Sequence, residues 1–104
     1  MDRKCIGRRI QTCREAAGMS QDELAEALEL STIYISMIER GVKTPSLEVF
    51  VNLANTLNVS ADLLLADVLR NGYKVKASLL SEKLETKSAE DRERVFNVIE
   101  ALVK

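Results

Sequence analysis

Apolar residues recur along this chain at intervals of three and four with polar residues between them, which is the period of an amphipathic helix and not of a strand. Ile6, Ile10, Cys13 and Ala17 fall on one face of a first helix predicted from about Cys5 to Ala17, with its arginines outward and Gly18 as its terminator. Ser20, followed three residues later by Glu23, forms a capping box for a second helix that places Leu24, Ala25 and Leu28 inward, with Met19 as a hydrophobic staple. Ser31 caps a third helix with Ile35 and Ile38 on its buried side, and Gly41 follows its end. Pro45 disfavours a helical Thr44, so residues 42–46 read as a loop ending in the Ser46 cap of a fourth helix, where Leu47, Phe50, Leu53, Ala54 and Leu57 repeat at helical spacing. Asn58 is a left-handed terminator and Ser60 a further cap. Leu63, Leu64 and Val68 then close the core from a fifth helix.

Beyond this the pattern breaks. Asn71-Gly72 is a strong turn signal, and residues 70–76 read as a hinge between a domain over 1–69 and a C-terminal extension over 77–104. The extension holds a helix near 77–85 and another opened by Ser88, with Asp91 completing a weaker capping box. In the last helix Val95, Ile99 and Leu102 form one stripe with Phe96 and Val103 beside it. The five-helix core has no need of that stripe, so these five residues are assigned to a homodimer contact, the alternative being that the extension folds back on the fifth helix.

Only Glu29 and Leu30 join the second and third helices, too short a link for antiparallel packing. Two helices so joined cross steeply, as in the helix-turn-helix, whose second helix enters a DNA major groove. The stretch from Gly18 to Leu65 also resembles the phage-repressor and Cro-like (XRE-type) helix-turn-helix family. The resemblance lies in Ser20-Gln21, Leu24-Ala25, Ser31 through Gly41, Pro45-Ser46-Leu47 and the Leu53-Ala54, Leu57, Val59 helix, and it covers residues 6 to 66. It implies an all-α fold, a five-helix lambda-repressor-like DNA-binding bundle here followed by a C-terminal helical extension. It also implies a sequence-specific regulator of transcription that binds double-stranded DNA, a repressor acting as a homodimer on a palindromic operator. Glu29 departs from the family, which usually places Gly in this turn.

By the same resemblance Gln21 contacts a phosphate and steadies the reading helix, and Arg40 and Lys43 contact phosphates. Thr32, Ile33, Ser36 and Met37, with Tyr34 beside them, take the reading positions. None of these is Arg, Gln, Asn or Lys, so bidentate base contacts are absent. Thr32, Ile33 and Met37 can touch thymine methyls, and the Thr32 and Ser36 hydroxyls can bond to either type of base. Direct readout is therefore weak and leans on DNA shape. Glu39 corresponds to a position that pairs with the arginine matching Arg14, a structural ion pair fixing the angle between scaffold and reading helix.

Charge and chemistry narrow the picture further. The net charge of −1 argues against a protein that grips nucleic acid by bulk electrostatics. Its distribution is uneven, with Arg3, Lys4, Arg8, Arg9 and Arg14 outweighing Asp2 and Glu15 in the first 18 residues, while residues 19–30 carry four acids and no cation. The chain has no histidine, and its two cysteines cannot make a zinc site, so no metal or cofactor is expected. Cys5 and Cys13 stand about 12 Å apart along one helix and cannot bridge. Asp22-Glu23 and Glu90-Asp91 sit in first helical turns, where acids complement the helix dipole, and no catalytic constellation or phosphate loop accompanies them. The expectation is a cytoplasmic, non-enzymatic, membrane-free protein. A second reading is an antitoxin-like module, in which Ile33, Tyr34, Met37 and the C-terminal helices hold a protein partner.

Overall fold

Five serines, Ser20, Ser31, Ser46, Ser60 and Ser88, begin five of the helices in the computed structural model, which describes residues 1–103; Lys104, the last residue of the predicted extension, lies outside the described residues. Helix α1 spans Arg3–Ala16, α2 Gln21–Leu28, α3 Thr32–Glu39, α4 Leu47–Leu57, α5 Ala61–Leu64, α6 Gly72–Glu85 and α7 Ala89–Val103. No strand occurs among the described residues. Ser20, Ser31, Ser46 and Ser60 each accept the backbone N–H three residues on, at 3.0 to 3.2 Å, satisfying a donor that the helix itself leaves unpaired. Ser20 and Glu23 complete a reciprocal capping box.

Helices α1 to α5 close around one core. Ile6 and Ile10 of α1, Leu24 and Ala25 of α2, Ile35 and Ile38 of α3, Leu53, Ala54 and Leu57 of α4, and Leu64 of α5 are all buried. Cys13, Met19, Leu28, Tyr34, Phe50 and Val68 pack against its rim. Two chain reversals use left-handed residues that are not glycine, Glu29 at φ 56° and Asn58 at φ 55°. Asn tolerates this conformation, whereas Glu has no local compensation for it. Glu29→Gly is therefore expected to stabilise the protein by about 0.5 to 1 kcal/mol. For a domain of this size that is a rise in melting temperature of a few degrees. A fall in melting temperature would contradict the turn geometry.

Several predicted boundaries and faces need correction. Helix α1 starts at Arg3 rather than Cys5, because the Asp2 side chain accepts the N–H groups of Lys4 and Cys5. Ala17 is the C-cap and is exposed, not inward. The arginines of α1 are not all outward: Arg14 is buried, and Arg9 is half-buried against Asp67. Leu47 shares the helical spacing of α4 but is 79% exposed, since the first turn of that helix overhangs the core.

The largest difference lies at 70–76. Helix α6 already begins at Gly72, five residues before the predicted helix, because Gly72 is where α6 lies against Ala66. A Cβ built on Gly72 would stand 1.6 Å from the Ala66 carbonyl oxygen, so no side chain fits there. Asp67 ties the junction together, its carboxylate accepting Arg9 of α1 at 2.9 Å and Lys76 of α6 at 2.5 Å. These two cations, Lys76 foremost, hold the Asp67 carboxyl below its ordinary pKa. Val75 and Leu79 of α6 face Ser60 and Leu63 along a groove beside α5. Helix α7, by contrast, shares no extended face with any other helix. The resulting molecule measures 46 × 28 × 18 Å, with a radius of gyration of 16.0 Å. A compact chain of this length would have about 13 Å.

Candidate nucleic-acid interface

The crossing of α2 and α3 is fixed at the end of α3 remote from its N-terminus. Glu39, in the last turn of α3, is 6% exposed and receives three side-chain hydrogen bonds. Arg14 of α1 donates through Nε to Oε2 at 2.7 Å and through Nη2 to Oε1 at 3.0 Å, and Gln21 of α2 donates to Oε1 at 3.0 Å. A further Arg14 nitrogen, Nη1, donates to the Met19 carbonyl at 2.8 Å. Three helices thus meet on one carboxylate. The Glu39 carboxylate beside Arg14 pushes the guanidinium above its ordinary pKa. Among the described residues no buried side-chain polar atom lacks a partner, which is the condition under which a buried charge pair fixes geometry without a desolvation deficit.

Helices α1 and α3 also approach closely at Gly7. A Cβ there would stand 2.4 Å from the carbonyl oxygens of both Ile38 and Glu39, so the absence of a side chain lets α1 rest directly on the last turn of α3.

The opposite end of α3 is presented outward. Ile33 is 68% exposed, and Thr32, Ser36 and Met37 are half-exposed along the same face. Tyr34 beside them is half-buried and packs against the core rim. Arg40 and Lys43 are both exposed at the far end of the helix and in the following loop. Arg40 donates through Nε to the Ser36 hydroxyl at 3.2 Å. Gln21 sits at the start of α2, its amide nitrogen committed to Glu39.

Two neighbours of this surface were not singled out by the sequence. Asp22 of α2 accepts the Thr32 hydroxyl proton at 2.6 Å, across the turn of the motif. Arg3, in the first turn of α1, lines a small cleft with Lys43, Thr44 and Pro45, which brings a further cation to the loop after α3. Both are local in space but distant in sequence, and the only advance signal was the cluster of cations in the first helix.

The five C-terminal residues assigned to an interface are distributed along α7. Val95 is half-buried, while Phe96, Ile99, Leu102 and Val103 are 63%, 41%, 79% and 77% exposed. Between α6 and α7 lies an open groove of about 450 Å³, with Leu80, Leu84 and Val95 in its lining and Lys83, Lys87, Asp91 and Arg94 around it. Cys5 and Cys13 are unbridged. The Asp2 carboxylate pushes the Cys5 thiol pKa up, and burial does the same to Cys13, so neither is an activated thiolate. No cluster of potential metal ligands occurs among the described residues, and no helix there is long and apolar enough to cross a membrane.

A closely joined helix pair with its second helix pinned at one end and exposed at the other is the arrangement of a groove-reading motif. The family model described as helix-turn-helix matches residues 10–64, more than half of the chain. The protein belongs to the helix-turn-helix family. Among its relatives, the uncharacterized HTH-type transcriptional regulator YazB of Bacillus subtilis is 39% identical over 62 residues, which is 60% of this chain and 90% of that one. Three further curated regulators are longer, and this chain spans between 39% and 47% of their lengths. The restriction-modification controller protein C.AhdI of Aeromonas hydrophila superposes with a TM-score of 0.58 at 33% identity, over 61% of this chain and 96% of its own. The SinR protein/SinI protein complex contains a chain similar over 91% of this one and 94% of its own, at 25% identity and a TM-score of 0.56. These four curated relatives are HTH-type transcriptional regulators.

Proposed function

We propose that this helix-turn-helix protein is a cytoplasmic, sequence-specific regulator of transcription that binds double-stranded DNA as a homodimer and represses by occupying a palindromic operator. The observation that carries the reading is α3, anchored through Glu39 to α1 and α2 while its Thr32, Ile33, Ser36 and Met37 face stays open. In this reading residues 1–69 are the DNA-binding domain and the C-terminal helices are the dimerisation element, through Val95, Phe96, Ile99, Leu102 and Val103. Arg40 and Lys43 contact phosphates, which set register without carrying sequence information. Gln21 acts on both sides, steadying Glu39 and meeting the backbone of the duplex.

Selection of bound sites from random duplex DNA tests the reading directly. Enrichment of an inverted repeat is the expected result, and failure to enrich any sequence would overturn it. Few cations surround the reading helix, so the slope of log affinity against log salt is expected to be shallow, about −4 to −7 for a dimer at −0.9 per phosphate contact. A slope of about −10 or steeper would mean that further basic residues meet the DNA. Arg40→Ala and Lys43→Ala are expected to weaken specific and nonspecific duplexes about equally, whereas Met37→Ala acts mainly on the preferred site. Equal losses for all three would remove the reading role from Met37.

A second reading is favoured by the apolar side chains left open on both α3 and α7, with Ile33, Phe96 and Leu102 all more than half exposed. An antitoxin-like module would use these surfaces to hold a protein partner. One structural neighbour over 91% of the chain is in a two-protein complex, which gives this reading its support.

A further inference from the structure

We infer that Asp22 sets which bases this protein accepts opposite Thr32: its carboxylate holds the Thr32 proton, so Thr32 reads the exocyclic amino group of cytosine or adenine and rejects guanine and thymine. The inference deepens the DNA-binding reading and rests on it. It starts from a hydrogen bond of 2.6 Å between the Thr32 hydroxyl and Asp22 Oδ1. A carboxylate has no proton to give, so the hydrogen lies on Thr32 Oγ1 and points at Asp22. The distance is that of a charge-assisted O–H···O⁻ bond, stronger than a bond between neutral partners. What Thr32 offers to anything arriving from outside is then a pair of lone pairs. An ordinary threonine on a reading helix can turn its hydroxyl to donate or accept, and so serves either type of base. This one is restricted to accepting.

The chemistry of the groove turns that restriction into selectivity. Cytosine presents only its N4 amino group in the major groove and adenine presents the N6 amino group beside its N7 acceptor, so each offers a donor, whereas guanine presents N7 and O6 and thymine O4, all acceptors. Thr32 is the first residue of α3 and half-exposed, at the end of the helix that reaches base edges when the helix enters N-terminus first. The negative charge of Asp22 acts in the same direction, since it repels acceptor edges and attracts amino groups. Asp22 belongs to α2, so a residue outside the reading helix determines what the reading helix sees.

The neighbouring hydroxyl supplies the contrast. Ser36, one turn along the same face, accepts from Arg40 Nε at 3.2 Å, and its own proton is left free to donate. The two hydroxyls therefore carry opposite hydrogen-bond polarity. Bases with acceptor edges fit opposite Ser36, where Asp22 has no influence.

The test uses the full chain and duplexes carrying the selected site, with all four bases placed in turn at each half-site position and binding measured by fluorescence anisotropy at fixed salt. Thr32→Val, which keeps the shape and removes the hydroxyl, identifies the position that Thr32 faces. At that position the wild type is expected to favour cytosine or adenine over guanine or thymine by about tenfold, the scale of one base contact. Asp22→Ala removes the acceptor of the Thr32 hydroxyl, so that the proton is released and the hydroxyl can turn to donate. This variant is expected to level the preference by gaining affinity for the guanine and thymine duplexes, with the other positions unchanged. A purely structural role for Asp22, as an acid in the first turn of α2, would change melting temperature without moving base preference. Retention of the wild-type preference in Asp22→Ala would overturn the inference, as would a wild-type preference for guanine or thymine at the Thr32 position. Failure of the wild type to bind any duplex is a different outcome, which overturns the DNA-binding reading and this inference with it.

Discussion

Arg14→Ala is expected to destabilise the protein by about 3 to 5 kcal/mol, the cost of leaving a buried carboxylate without its partner. Glu39 is 6% exposed and has no route to solvent that would replace the two bonds from Arg14, at 2.7 and 3.0 Å. The Met19 carbonyl loses its donor in the same step. Small domains are stable by only about 5 to 15 kcal/mol, so the variant should be largely unfolded in mild urea. Urea denaturation followed by circular dichroism checks this, and a wild-type midpoint for Arg14→Ala would remove the pair from the framework. Gln21→Ala deletes one of three bonds to the same carboxylate and is expected to cost about 1 to 2 kcal/mol. Arg14→Ala and Glu39→Ala should be strongly non-additive, because the double variant no longer buries a lone charge. The functional reach of the network follows from its position: it meets α3 at the end away from the open face, so it sets the tilt of the reading helix without touching DNA.

What the sequence made legible was local. Each serine cap, the left-handed Asn58, and the inward faces of α2 and α3 depend on residues within four positions of one another, and hydrophobic period and cap chemistry report on that range. The family resemblance carried the reading one step further, to Arg14 and Glu39, 25 residues apart. Contacts with neither a period nor a family mark behind them did not show. Asp67 gathers Arg9 from 58 residues away and Lys76 from α6. Gly7 carries no signal in the sequence and Gly72 read as half of a turn, yet each marks a place where another backbone comes too close for a side chain. Leu47 failed in the opposite way. It has the spacing of a core residue, but the helix turn that carries it extends past the layer below, and periodicity along one helix cannot tell where its neighbours end.

The same limit applies to the C-terminal stripe, whose partner no pattern can name, and the largest functional effect is expected there. A single reading helix covers a half-site of a few base pairs, and linking two of them on one operator multiplies affinity by about 10² to 10⁴ without any new DNA contact. Helix α7 offers Phe96, Val98, Ile99, Leu102 and Val103 to solvent, an apolar surface that no other helix of its own chain covers. A two-fold pairing lets one such patch serve both subunits. The sequence alternative, in which the extension folds back on α5, accounts for α6 and not for α7. Gly72, Val75 and Leu79 hold α6 against the domain, and the stripe is left over. Phe96→Glu and Leu102→Glu therefore change exposed positions and should leave the melting of the five-helix core intact. Both variants are expected to sediment as monomers and to lose operator affinity by two orders of magnitude or more, on the scale of lost bivalency. Truncation after Asp67 removes α6 as well, and is expected to give a folded monomer with the same loss. If the truncated protein still sedimented as a dimer, the interface would lie within helices α1 to α5, and the stripe on α7 would be free for a different protein.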